Sequence, residues 1–388
     1  MSFLSSSPLP FVLAEQKEGV LHKGHVIVTE LSQIKPRKLK KSGEIMKKNF
    51  SKIIIALVLV TGFSFQAHAD VIKINGAGAT FPYPLYSKWF SDYNKANPNI
   101  QINYQSIGSG GGIQQLKAGT VDFGASDAPL NGDEEKAMPG PVLQIPAIAG
   151  SVAIVYNIPG VDKGLKLTSD VVGDLFIGKI KTWNDSKITS QNPGVNLPNL
   201  PVAVVHRSDG SGTTYIFTDY LAKAHADFYF KVGRGKSVNW PAGLGGKGNE
   251  GVAGQVKQIP GAVGYVEYAY AVNNKISYAA IRNKAGKFVE PSPAATTAAL
   301  GAFAKELVKD VKTSVTDAPG PDSYPISGLT YLMILKKPTD ATKGKAFVDF
   351  LKWAMGTGQT QAASLLYSPL SPELVKVNEG KIASITAQ

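Results

Sequence analysis

From residue 71 to residue 224 the chain repeats one local pattern: a strand-like run, a short turn of Gly, Ser, Thr or Asp, then apolar residues at helical spacing. Residues 71–75 alternate apolar and polar, Gly76-Ala77-Gly78-Ala79-Thr80 reads as a turn, and Leu85, Trp89, Phe90 and Tyr93 fall on one helical face. Residues 99–107 alternate again, 108–112 form a second small-residue turn, and 113–118 continue as a helix. Residues 121–125 read as a strand ahead of Ser126-Asp127-Ala128-Pro129. Residues 202–205 are a buried strand, Asp209-Gly210-Ser211-Gly212-Thr213 a turn, and 215–224 a helix with Ile216, Tyr220 and Leu221 facing inward. Such a βαβ rhythm predicts an α/β protein whose largely parallel sheets are flanked by helices.

At 388 residues the chain has material for two or three domains. It contains no Cys, which excludes a disulfide framework, a cysteine nucleophile, thiolate metal sites and a lipid-modified N-terminal cysteine. The net charge of +12 is unevenly placed: residues 1–69 hold ten basic and four acidic residues, half of the excess. Within them a basic stretch, Met46-Lys47-Lys48-Asn49-Phe50-Ser51-Lys52, precedes the apolar run 53–65 and Ala67-His68-Ala69. That order is the order of a secretory signal peptide, with cleavage expected after Ala69. The expected organisation is an upstream extension at 1–45, a cleaved signal at 46–69, and a mature chain of 70–388 exported without an anchor. Export without an anchor points to a periplasm, as in a Gram-negative bacterium, or to secretion. The charge on the mature part is diffuse, so no nucleic-acid partner is expected.

The informative residues recur where strands give way to helices: Ala79-Thr80-Phe81, Gly108-Ser109-Gly110-Gly111-Gly112, Ser126-Asp127, and Arg207-Ser208-Asp209-Gly210-Ser211-Gly212-Thr213. In open α/β sheets ligands bind just beyond the carboxyl ends of the strands. Free N–H groups at helix starts suit an anion, glycines let backbone approach closely, hydroxyls add donors, and Arg207 can grip an oxyanion with two hydrogen bonds. Together the turns describe a dry pocket for a small tetrahedral oxyanion. Each turn alone is also an ordinary helix-capping device. Nucleotide and hydrolase motifs fail: Gly76-Ala77-Gly78-Ala79-Thr80-Phe81 lacks the last Gly of a dinucleotide fingerprint, Gly245-Gly246-Lys247-Gly248 lacks the Ser or Thr that should follow the Lys, and Asp209 replaces the outer Gly of a nucleophile elbow. His206 and His225 alone remain beyond residue 69, too few for a histidine metal site, and no cofactor is expected.

Five segments in order carry a resemblance: Gly76-Ala77-Gly78-Ala79-Thr80-Phe81-Pro82, Val121-Asp122-Phe123-Gly124-Ala125-Ser126-Asp127-Ala128-Pro129, Arg207-Ser208-Asp209-Gly210-Ser211-Gly212-Thr213, Trp240-Pro241 with Gly243-Leu244-Gly245-Gly246-Lys247-Gly248-Asn249, and Gly264-Tyr265-Val266-Glu267-Tyr268-Ala269-Tyr270. The chain resembles the periplasmic phosphate-binding proteins of Pst-type ABC transporters, from about residue 74 to 337. The resemblance implies a type II periplasmic binding protein fold: two α/β lobes with mixed sheets around a ligand cleft, joined by crossing strands. Lobe I would comprise 70–152 and 326–388, lobe II 153–325, with 151–158 and 329–335 suited to crossing between them. It also implies phosphate ligands: Thr80 and Phe81 through hydroxyl and N–H, Ser109, Arg207 held by Asp209, and Ser211, Gly212 and Thr213 at a helix start. Asp127 would accept the hydrogen bond of the proton that phosphate keeps near neutral pH. Sulfate has no such proton, so Asp127 would be the specificity element. Gly110 departs from the family, many members of which carry a second Ser there.

The expected function is capture of inorganic phosphate by a monomer. Delivery would be to an inner-membrane ABC importer built from two transmembrane proteins and an ATPase dimer. Two other readings compete. One is a binding protein for a different oxyanion, such as sulfate or arsenate. The other, less favoured, is an exported phosphatase with Ser211 as nucleophile, which lacks a nearby general base or metal ligands in the sequence.

Overall fold

The computed structural model describes residues 71–386. The signal peptide and upstream extension expected at 1–69 lie outside the described residues. Twelve strands occur among the described residues, and nine of them join one mixed sheet. The first are β1 (Ile72–Gly78), β2 (Ile100–Ser106), β3 (Phe123–Ser126), β4 (Val142–Tyr156) and β5 (Lys166–Leu167). They are followed by β6 (Ala203–Arg207), β7 (Leu244–Gly246), β8 (Ala262–Glu267) and β9 (Ser277–Tyr278). The last are β10 (Ala280–Arg282), β11 (Phe288–Val289) and β12 (Ser327–Leu335). The path of the large sheet is β2-β1-β3-β12-β4-β8-β6-β7, with β9 also on β4, while β11, β10 and β5 form a small separate sheet.

Pairing explains the mixed character. β1 runs parallel to β2 and β3, and β6 runs parallel to β7 and β8, as the βαβ rhythm predicts. The centre is antiparallel, because β12 pairs with β3 and β4, and β4 pairs with β8. β4 changes partner along its length: positions up to Ser151 face β12, and Val152–Tyr156 face β8. The sequence pattern showed only the second half of this strand, 151–158. The first half contains Pro146, which removes a ladder donor. It is accommodated where the register shifts, since Thr330 pairs with Ile148 and Tyr331 with Pro146.

Helices α1 (Tyr83–Ala96), α2 (Ser109–Lys117), α3 (Gly212–Ala224) and α4 (Gly248–Gln258) follow β1, β2, β6 and β7. Helix α2 begins at Ser109, earlier than the expected residue 113, so the small-residue turn is itself the first helical turn. β1 likewise runs on through Gly78 instead of stopping at Asn75. Register places strand ends level: Gly78 lies opposite both Ser106 and Ala125, and Arg207 opposite Gly246. Two aromatic cores hold these ends in place. Phe123 stacks on Phe347 at 4.4 Å with Phe90, Tyr104 and Phe350 around them. Phe217 stacks on Tyr265 at 4.3 Å, flanked by Phe176 and Trp240.

Candidate functional site

The strand ends converge on one buried cluster. Thr80 and Phe81 follow β1, Ser109 opens α2, Asp127 follows β3, Arg207 ends β6, and Ser211 is the N-cap of α3. All nine residues singled out in the sequence are brought together, and Thr80, Phe81, Ser109, Asp127, Arg207, Ser211 and Thr213 are almost wholly buried.

Direct bonds join these turns. Gly212 N–H donates to Ser109 Oγ at 3.0 Å, and Asp127 N–H donates to the same oxygen at 3.3 Å. Gly110 N–H donates to the Gly210 carbonyl at 2.8 Å. The approach needs glycine on each side. A Cβ on Gly212 would sit 2.5 Å from both Cβ and Oδ2 of Asp127. A Cβ on Gly110 would stand 3.1 Å from Gly210 Cα, so this turn packs tightly on its neighbour.

Arg207 is held by Asp209, with Nε on Oδ1 at 2.8 Å and Nη2 on Oδ2 at 2.5 Å. Nη1 donates to Thr213 Oγ1 at 3.3 Å. Burial pushes the Asp209 carboxyl up, but the Arg207 guanidinium and Gly248 N–H outweigh it and leave it below the usual carboxylate range. Ser211 Oγ accepts from Thr214 N–H at 3.0 Å, the ordinary cap bond, which leaves the N–H of Thr213 without an intrahelical partner. Among the described residues neither histidine bonds to Ser211. His206 Nδ1 lies 3.0 Å from the Arg207 carbonyl oxygen while its ring stacks on Trp240, and His225 Nε2 lies 3.2 Å from Asp174. No group of three or more His, Cys, Asp or Glu able to hold a metal ion occurs among the described residues.

Asp127 is a second carboxylate at this cluster, close against Gly212 and within reach of the charge of Arg207. Burial pushes its carboxyl up to about 7, opposed by the Thr330 hydroxyl, which donates to Oδ1 at 2.7 Å, and by the charge of Arg207. The capping role in its turn falls to Ser126, whose Oγ accepts from Ala128 N–H at 3.1 Å.

Four contributors received no role from the sequence. Asn249 bonds to Thr80 and Thr213, and Thr330 bonds to Asp127. Glu267 is fully buried, and burial holds its carboxyl well above the usual range; its Oε2 accepts from Ala269 N–H at 2.8 Å. The Tyr367 hydroxyl lies 2.7 Å from the Phe81 carbonyl oxygen and 3.1 Å from Glu267 Oε2. One phenolic hydrogen cannot serve both oxygens, which fits a protonated Glu267. Asn249 and Glu267 stand inside the resembling segments, but nothing short-range separates them from turn and strand residues. Thr330 and Tyr367 lie in the C-terminal part, where strand and loop pattern alone gives no pointer.

Strand ends that pool backbone and hydroxyl donors around one buried arginine define a small-ligand binding protein of α/β build. A family model described as PBP superfamily domain matches residues 64–352. Phosphate-binding protein PstS of Xylella fastidiosa is 50% identical over 315 residues, covering 81% of this chain and 85% of the relative. Phosphate-binding protein PstS of Pasteurella multocida is 44% identical over 326 residues, covering 84% and 93%. The chain belongs to this PstS family of the PBP superfamily. The fold is also that of a solved high-affinity periplasmic phosphate-binding protein (PfluDING) bound with phosphate, at a TM-score of 0.64 and 24% identity over 80% of this chain and 93% of the other. Among the described residues no helix is long and apolar enough to cross a membrane.

Proposed function

We propose that this chain captures inorganic phosphate between two lobes, 70–152 with 326–388 and 153–325, and delivers it to an ABC importer in the inner membrane. The observation that carries the reading is the company kept by Asp127. One buried carboxylate with a raised pKa stands beside Ser109, Gly212 and Arg207, groups that offer hydrogen bonds or positive charge. A fully ionised anion would face repulsion there, whereas a phosphate that keeps a proton can give that proton's hydrogen bond to Asp127.

The binding groups in this reading are Thr80 and Phe81, Ser109, Arg207 supported by Asp209, and Ser211, Gly212 and Thr213. They come from both lobes, so the anion is gripped only when the lobes are together, and closure about β4 and β12 signals occupancy to the importer. Export to the periplasm by cleavage after Ala69 and action as a monomer belong to the same reading, as does the absence of catalysis.

The test is thermal unfolding of phosphate-stripped protein with and without added phosphate. The reading predicts a rise in Tm that grows with phosphate concentration and no release of phosphate from a generic phosphate ester. An unchanged Tm, or ester hydrolysis lost in Ser211→Ala, contradicts it.

A further inference from the structure

Asn249 is fully buried at the start of α4, following Gly248, and both ends of its amide are hydrogen-bonded. Glu267 N–H donates to Asn249 Oδ1 at 2.9 Å. A backbone N–H can only donate, so the oxygen must face Glu267 and the amino group must face the other way. That amino group has two hydrogens and two partners: Thr80 Oγ1 at 2.7 Å and Thr213 Oγ1 at 3.2 Å. Asn249 N–H adds a third bond, to Thr80 Oγ1 at 3.1 Å.

The consequence lies in the hydroxyls. Thr80 Oγ1 accepts twice from Asn249, and Thr213 Oγ1 accepts once from Asn249 and once from Arg207 Nη1. A hydroxyl oxygen has two lone pairs, so both oxygens are saturated as acceptors and the one role left to each O–H is donation. Both side chains are buried, and a buried donor without an acceptor is costly. An anion with bare oxygens supplies the missing acceptor.

We infer that Asn249 is a positioning residue for anion capture, which turns the Thr80 and Thr213 hydroxyls into obligate donors from opposite sides of the site. The inference rests on the phosphate-binding reading and adds a residue to it. Asn249 itself needs no contact with the anion. Its effect passes through two hydroxyl hydrogens, which without it could rotate to accept a hydrogen bond and face the anion with a lone pair.

A double-mutant cycle tests this, measured as inorganic phosphate affinity by calorimetry on stripped protein. Asn249→Ala is expected to weaken binding about 10-fold, the usual scale for a hydrogen bond to a charged group. Thr80→Val and Thr213→Val each weaken the wild type by a similar factor, but in the Asn249→Ala background each costs at most about 3-fold, because the hydroxyls are no longer aimed. Ser109→Ala, whose hydroxyl has no bond to Asn249, costs the same in both backgrounds. Should Asn249→Ala fail to fold, the cycle is run on the near-isosteric Asn249→Asp, in which the carboxylate draws both hydroxyl hydrogens to itself and the threonine substitutions become nearly silent. Threonine costs that are equal in both backgrounds overturn the inference alone. A wild-type protein that takes up no phosphate overturns it together with the reading beneath it.

Discussion

Thr330 on β12 donates its hydroxyl hydrogen to Asp127 Oδ1 at 2.7 Å, tying a carboxylate at the end of β3 to the neighbouring antiparallel strand. This bond and Arg207 favour the ionised form, yet burial wins and holds the carboxyl near 7. The unfolded chain loses this proton near its ordinary value of 3.8, so between about 4 and about 7 the folded state binds more protons. The stability contribution is complete below 3.8 and declines as pH rises through that window, by about 1.4 kcal/mol per pH unit. In denaturant titration without phosphate, Asp127→Asn should reduce the fall of stability with pH across this window by that amount. Thr330→Val removes a donor to the ionised form and should extend the slope to higher pH.

Glu267 has the same sign from a different place. Its carboxyl is buried at 0% exposure and held well above 4.5, so stability should also fall as pH rises above that value. Glu267→Gln keeps an acceptor for Ala269 N–H and removes the titration. It should match the wild type in stability near pH 5 and exceed it at pH 8, with phosphate affinity within about 3-fold, a change of well under 1 kcal/mol. A variant less stable at pH 8 would show that the ionised form is the one the fold holds.

Ser109 Oγ accepts from the backbone on both sides of the site. Ser109→Ala leaves two buried N–H groups short of their acceptor and, in the proposed reading, removes a donor to the anion. Phosphate binding should weaken by about 10- to 100-fold, consistent with about 1.5–3 kcal/mol for a hydrogen bond to a charged group. Isothermal titration measures it, and a change smaller than 3-fold would remove Ser109 from the binding set.

Lys236 accepts Ser211 N–H at its carbonyl at 2.8 Å and extends its side chain to Glu134 Oε2 at 2.6 Å. The same residue thus braces the loop ahead of α3 and reaches Glu134, in the segment between β3 and β4. The pair is partly exposed, so its worth is at most about 1 kcal/mol and screened by salt. Lys236→Met should weaken phosphate binding by no more than about 5-fold at low ionic strength and hardly at all in 1 M salt. A salt-independent loss would point to the carbonyl contact instead of the ion pair.

What the sequence made legible was local. The turn after each parallel strand, and hence the neighbourhood of Thr80, Ser109, Asp127 and Arg207, followed from strand alternation giving way to helical spacing. The antiparallel centre was less visible: the first half of β4 is broken by Pro146, and its pairing with β12 joins residues nearly two hundred positions apart. The same distance hid the supports of the site. Asn249 reaches Thr80, Thr330 reaches Asp127, and Tyr367 reaches Phe81 only after the chain has folded. Polar residues of that kind read in sequence as turn, strand or core members, because their partners are set by topology.

The most direct test of the role given to Asp127 is calorimetric titration of the phosphate-stripped protein with phosphate and, separately, with sulfate at neutral pH. Tight phosphate binding with sulfate at least about 1,000-fold weaker, a gap of about 4 kcal/mol, is the predicted result. Sulfate binding within about 10-fold of phosphate would contradict the assignment of Asp127 as the acceptor that selects a protonated anion.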